Sequence, residues 1–485
     1  MPAIRNAELR SRTHRGLPLG VSLNGRGNSV DSADIRDILG TWVAIIAARI
    51  GVPMSDPATF KMLMPGVLYC AAGAALAGSP SLPPPLPGAP PPACRYEVTV
   101  IEGGPLCGGS PVSTQAKAIN ENGDVAGDAY CNPVARRPFF WSADGGFEVP
   151  AGPPGSSDSP VAAMNNPREI VGTGNFPAVR GYIRQATGQY VTLQTGPNGD
   201  WSEGHDVNDA SISVGFWGNT VVGPSPLACK WENGQLVTLT ELLGAPRGIA
   251  YAVNSTGAIT GWRGNSFISD ARTFILDNEE LTVLPPIPGG FTSEGRAIND
   301  RGDLAGRGRI NTGSVPAQAW RAFAWLDGTM LNLGTLPGFN DSIANDINNH
   351  RVIVGISQTA AARAWISQDG VMRDLNDLIP PQPQYTLKTA YSINDDGVIA
   401  ISGSLGSPAG PTRAFILTPV YPLPADLDGS CSVNGLDLGI LLSNWSIPSS
   451  AAGCQGDSPC IADLNDDGVV NGLDLGILLS QWTIP

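Results

Sequence analysis

The sequence predicts a mainly β protein, with a closed seven-bladed β-propeller over residues 96–420 and a small all-α module of two loop–helix units over 424–485. Three observations predict this. A tract centred on one asparagine recurs seven times at near-constant spacing. The 485 residues include 60 glycines and 43 prolines, which break long helices and favour many short strands. A sixteen-residue segment near the C-terminus occurs twice with only two differences.

Composition narrows the function classes. The net charge is −14, from 29 basic and 43 acidic residues, which argues against a nucleic-acid binder with a basic face. At 42% hydrophobic the chain can build a sizeable core, so wholesale disorder is not expected. Histidine occurs only as His14, His205 and His350, too few for a multi-histidine zinc site or a site centred on histidine catalysis. Residues 424–485 hold eight Asp and no Lys, Arg or Glu. Asp as the sole charged side chain points to calcium where the spacing agrees.

Residues 1–53 are Arg-rich, lack periodicity and form an extension of uncertain status. From Met54, Lys61 precedes an uncharged run from Met62 to Ala77 that ends Ala75-Leu76-Ala77. A basic residue, an apolar run and a small-x-small exit are the grammar of a signal peptide, expected over 54–77 with translation starting at Met54; a buried helix of a small amino-terminal domain is the plainer alternative. The run is short for a membrane span, which needs about 20 apolar residues, so no span is expected in the mature chain. A Pro-rich linker follows over 78–95. Six of the eight cysteines cluster at 94, 107, 131 and at 431, 454, 460, which suits local disulfides in an oxidising compartment. Cys229, beside Trp231 on an expected strand, reads as a buried thiol.

The repeated asparagine falls at 120, 165, 208, 254, 299, 348 and 394, in steps of 43 to 49 residues. Each unit reads as four strands. Alternating apolar residues lead into the Asn, and Asn-x-x-Gly, clear in four copies, forms a hairpin turn. A second strand follows, then a third ending in an aromatic, as in Phe139-Phe-Trp141, Arg321-Ala-Phe323 or Arg363-Ala-Trp365. A tight turn such as Leu326-Asp-Gly328 leads to the fourth. The seventh unit lacks its fourth strand, and Tyr96–Ile101 precedes the first unit unclaimed. Placing that strand in the last blade closes the ring and removes two exposed edges; an open β-solenoid is the competing shape.

The tract 96–420, with its Ile-Asn-x-x-Gly steps, Leu333-Gly-Thr-Leu-Pro-Gly338, and Arg-Ala-Phe or Arg-Ala-Trp in place of His-Ala-Phe, resembles the HAF-type extracellular repeat proteins. The resemblance implies a secreted β architecture and little about activity. Features shared by all blades read as scaffold. A ligand site is expected where blades differ, with Trp201, Trp217, Trp262 and His205 as irregular residues, and a polysaccharide as the ligand that exposed aromatics suit. A glycosidase needs only two carboxylates, and the sequence selects no pair.

In the second C-terminal copy, positions 1, 3, 5, 9 and 12 of a twelve-residue loop are Asp463, Asn465, Asp467, Asn471 and Asp474, with the Val469 carbonyl at position 7 and Gly468 at 6. Alternating oxygen ligands around a tight turn suit Ca²⁺. The first copy offers Asp426, Asp428, Ser430, Asn434 and Asp437 with the Ser432 carbonyl, but Cys431 occupies position 6 and Gly429 position 4, so weaker binding is expected there. The stripes Leu438, Leu441, Leu442, Trp445 and Leu475, Leu478, Leu479, Trp482 are expected to bury each other. Whether Cys454 or Cys460 pairs with Cys431 is open. Two loop–helix units 37 residues apart resemble a type I dockerin. The resemblance implies Ca²⁺-dependent folding and docking to a cohesin-like protein; a calcium-stabilised end cap is the plainer alternative. The expected function is therefore a secreted, calcium-binding modular protein whose propeller presents a ligand or adhesion surface. A dockerin-tethered O-glycosyl hydrolase of polysaccharide catabolism is the second reading.

Overall fold

The computed structural model describes residues 86, 89–102, 113–132, 135–219, 225–267, 269–313, 317–368, 370–380, 385–445 and 460–483. The expected signal peptide and N-terminal extension lie outside them. Among the described residues no helix is long and apolar enough to cross a membrane.

Seven four-stranded antiparallel sheets follow one another along the chain. The first uses Ser113–Ile119, Val125–Asn132, Ala135–Ser142 and Gly146–Glu148. Five more sheets occupy 161–192, 201–238, 247–283, 294–334 and 341–374. The seventh takes Tyr385–Ile393, Ile399–Leu405 and Thr412–Val420 from the chain's end and Arg95–Ile101 from its beginning. Register runs from Arg95 opposite Val420 to Ile101 opposite Ala414, so the unclaimed strand does complete the last blade. The first strands of successive sheets pack side by side around the ring, the seventh against the first, which makes them the inner wall of a seven-bladed propeller. The open solenoid is thereby excluded.

The repeated asparagine both shapes its turn and joins the blades. In every copy Oδ1 accepts the N–H four residues on, at 2.8–3.0 Å. Nδ2 donates to the backbone carbonyl of the next blade's asparagine at 2.9–3.3 Å. Asn394 donates to Asn120 and closes the circle. All seven side chains are buried, so each bond is made where an unmade one would be costly. The third residue after each Asn has positive φ. Glycine takes it in four blades. In the others Arg168, Ser211 and Arg351 reach back to Asp124, Glu169 and Asp303 of the preceding blade, contacts that offset the left-handed conformation.

A second feature recurs in all seven inner strands: a bulge three residues before the Asn. In every blade a carbonyl on or just before the inner strand lies over a glycine of the second strand, seven residues after the Asn in six blades and at Gly403 in the seventh. At Gly306 an added Cβ would overlap the Glu294 carbonyl and the Phe323 ring. The third-strand aromatics Phe139, Tyr182, Phe274, Phe323, Trp365 and Phe415 are fully buried and fill the space between blades.

After Val420 come two turns with helices Gly435–Ser443 and Gly472–Ser480. Ala425, Val433 and Leu441 pack with Ala462, Val470 and Leu478 in a small pseudo-twofold core. The stripes bury only in part: Leu438 and Leu475 pack against this core, but Leu442, Trp445, Leu479 and Trp482 are exposed. The loop residues Ala425, Ala462, Val433 and Val470 share this core with Leu441 and Leu478 of the helices.

Asn254→Ala removes the acceptor for Ala258 N–H and the donor to Asn299. It is expected to cost about 2–4 kcal/mol by urea denaturation, at roughly 1 kcal/mol per bond plus the groups left unpaired. A loss below about 0.5 kcal/mol would remove the ring of asparagines from the account of stability.

Candidate functional site

Two regions carry chemistry, the C-terminal loops and the inner wall of the ring. The loops share one backbone. Left-handed residues stand at positions 4 and 6 in both: Gly429 and Cys431 in the first, Asp466 and Gly468 in the second. The first loop therefore departs from the expected pattern by exchanging glycine between two equivalent positions. Asp426 accepts from Ser430 N and Cys431 N, as Asp463 does from Asp467 N and Gly468 N. Asp437 is fully buried and takes the N–H groups of Leu427, Asp428 and Asn434; Asp474 takes those of Leu464, Asn465 and Asn471. Asn434 and Asn471 cap their helices, with Asp437 and Asp474 completing a capping box.

Carboxylate oxygens of Asp426, Asp428 and Asp437 lie within 4.8 Å of one another. Burial raises the Asp426 pKa, while the Ser430 hydroxyl lowers that of Asp428. Ser430 Oγ donates to the Ser432 carbonyl, and so does Asn434 Nδ2. In the second loop the amides of Asn465 and Asn471 bridge Asp467, and Asn471 also holds the Val469 carbonyl. The structure thus gathers three carboxylates in the first loop, the one the sequence ranked weaker. These are hard oxygen donors with no basic residue anywhere in 424–485, a set whose chemistry fits Ca²⁺.

The expected local pairing of Cys431 is corrected. It is bonded to Cys94, 337 residues upstream, at a Cα separation of 5.7 Å. Cys94 N–H donates to Val420 at the end of the closing strand pair, which sets it beside the first loop. Cys460 is disulfide-bonded as well. Cys229 is a free, buried thiol as expected, and burial raises its pKa.

The bulge residues of the inner strands are Lys117, Ala162, His205, Tyr251, Arg296, Asn345 and Tyr391. All are half-buried. They meet across blade joints: His205 lies 5.1 Å from Tyr251, Arg296 stacks on Tyr251 at 5.0 Å, and Lys117 stacks on Tyr391 at 4.0 Å. Asp206 and Asp346 accept the N–H groups of Val253 and Ile393 in the next blades. Burial pushes both carboxyls up to about 6 and holds the His205 imidazole down at about 4. Burial and the nearby Asp395 charge push Glu121 up to about 7. Of the irregular tryptophans, Trp262 is buried, Trp201 packs edge-on against Phe216 at 4.6 Å, and Trp217 donates to Thr238. They serve blade packing. Of the bulge ring the sequence reading named only His205; the ring's sequence signal is variation at a fixed offset from the Asn.

No protein-family model matches the chain, and no curated protein does. Among solved structures it is similar to a gluconolactonase from Xanthomonas campestris, at 14% identity over 70% of this chain and 99% of that one, with a TM-score of 0.31. It is similar to a puromycin hydrolase at 12% identity, over 67% of this chain and 55% of that one, with a TM-score of 0.42. It is also similar to YCF48 bound to D1 peptide, at 11% identity over 71% and 100%, with a TM-score of 0.39. The fold assignment rests on the strand pairing, not on these likenesses.

Two outcomes follow. Raised carboxyl pKa values mean that the folded state binds extra protons, so the contributions of Asp206 and Asp346 are full below about pH 4 and fade as pH rises through about 6. His205 opposes them, its contribution being present above pH 6.5 and lost as pH falls through about 4. The stability difference between wild type and the D206N/D346N double variant, measured by urea midpoint, is expected to move in favour of the variant from pH 4 to pH 7. Peptide mapping without reductant is expected to recover Cys94 and Cys431 in one linked fragment, and C94S/C431S is expected to lower Tm by several degrees.

Proposed function

We propose that this is a secreted, calcium-binding modular protein in which the propeller presents a ligand surface and the C-terminal module tethers it to a partner. The observation that carries the reading is the first loop. Three carboxylates converge within 4.8 Å, one of them the fully buried Asp437, in a module devoid of cationic side chains. A divalent cation is the chemical answer to that arrangement. Asp426, Asp428, Ser430, Ser432, Asn434 and Asp437 would hold one ion; Asp463, Asn465, Asp467, Val469, Asn471 and Asp474 would hold the second.

The dockerin-like reading draws further support from the exposed Leu436, Leu442, Leu473 and Leu479, apolar side chains left on helices that the module's own core does not use. A cohesin-like module is the partner this reading names. Export is supported by the Met54–Ala77 grammar and by the disulfides, which persist in oxidising compartments. For the propeller, Asp206 and Asp346 are already engaged by backbone amides, which favours a binding surface over a catalytic pair of carboxylates.

Because the module is cross-linked to the propeller, the test uses the full chain. Calorimetric titration with Ca²⁺ is expected to give two ions per chain, one lost in D437A and the other in D474A, each with increased proteolysis within 424–483. Absence of any Ca²⁺ binding to the chelator-treated wild type would end the calcium reading.

A further inference from the structure

Blade five, spanning 294–334, departs from its neighbours in a concerted way. Arginine stands at its bulge position, Arg296, and twice on its second strand, Arg307 and Arg309. No other blade has arginine at any of these three offsets from its asparagine. The repeat does not call for them, so their grouping asks for another explanation.

Their arrangement is built rather than scattered. Glu294 on the inner strand is 1% exposed, and its Oε1 holds both Arg296, at 3.3 Å, and Arg307. Its Oε2 has no hydrogen-bond partner. Arg307 and Arg309 both lie over the ring of Trp320, at 4.1 and 4.6 Å from its centroid. Arg309 Nε is likewise without a partner. Phe267, from blade four, sits 6.0 Å from Trp320 and extends the aromatic surface across the joint. Three guanidinium groups stand against two carboxylates, Glu294 and Asp341, the latter accepting the Trp320 backbone N–H, which leaves a local excess of one positive charge in a chain whose net charge is −14.

We propose that this face, at the joint of blades four and five, binds an anionic carbohydrate, a chain bearing uronate carboxylates. The Phe267 ring offers flat apolar surface for the C–H face of a pyranose, beside the Trp320 indole on which Arg307 and Arg309 are stacked. Arg309, whose guanidinium is not committed to a carboxylate of the protein, pairs with the sugar carboxylate through its planar fork. Glu294 fixes Arg296 and Arg307 beside it, its single negative charge offsetting one of their two positive charges. A nucleic acid is disfavoured, since the surrounding chain is acidic and three arginines do not form a track for successive phosphates. The inference rests on the reading of the propeller as a ligand-presenting body.

The test is binding of a short oligogalacturonate, its methyl ester and polyglutamate to the full chain, by calorimetry at moderate and high salt. The oligogalacturonate is expected to bind at least tenfold more tightly than the neutral ester, and to weaken at least tenfold in Arg309→Gln and in Trp320→Leu. Both substitutions leave the Glu294 pairs with Arg296 and Arg307 in place, and an unchanged circular dichroism spectrum and Tm establish that each variant is folded. Equal binding of acid and ester, unchanged affinity in Arg309→Gln, or polyglutamate binding as tightly as the uronate would each overturn the proposal. Binding of neutral polysaccharides on a glycan array, with none of the uronate, overturns this inference and spares the ligand-presenting reading. Failure on every glycan removes both.

Discussion

Each blade of this protein hands one amide hydrogen bond to the next, and the last hands it to the first. The donor is always the Nδ2 of a buried asparagine, and the acceptor is the carbonyl of the asparagine one blade further on. The same side chain spends its oxygen on its own hairpin, so one residue sets both the local turn and the angle to its neighbour. A ring built this way is cooperative in a simple sense: no blade satisfies its asparagine alone, and an open array would leave one donor buried and unmet. The strand Arg95–Ile101 closes the seventh sheet by the same logic, supplying partners to an edge that would otherwise be bare.

This constraint separates scaffold from site. The Asn, the glycine beneath the bulge and the buried third-strand aromatic are all consumed by packing. The bulge itself is repeated, but the residue on it is not, and its partners are residues of the adjoining blades. Variation therefore collects there: a lysine on a tyrosine, a histidine against a tyrosine, an arginine held by a buried glutamate. Asp206 and Asp346, each following a bulge residue, carry raised pKa values because the ring that orders them also takes them out of water.

The C-terminal module is joined to the ring where the chain's two ends meet. Pairing of Arg95 with Val420 brings Cys94 to the start of the first loop, where Cys431 occupies a left-handed position that its sequence counterpart fills with glycine. The link ties loop geometry to ring closure and explains why one loop tolerates a cysteine at a position that favours glycine.

Much of this was legible in the residues themselves. The blade number, the strand order within each blade, the closing strand, the buried Cys229 thiol and the frame of both acidic loops follow from local chemistry and a period of about 45 residues, since a turn asparagine or an alternating strand carries its signal in its near neighbours. The partner of Cys431, the exposure of Leu442 and Trp445, the gathering of Asp426, Asp428 and Asp437, and the convergence of Arg307, Arg309, Phe267 and Trp320 were decided only by the tertiary structure. Most of these depend on which distant segments ring closure and blade packing bring within a few ångströms of each other. The carboxylate cluster and the exposed helix faces depend on side-chain directions that spacing alone does not set.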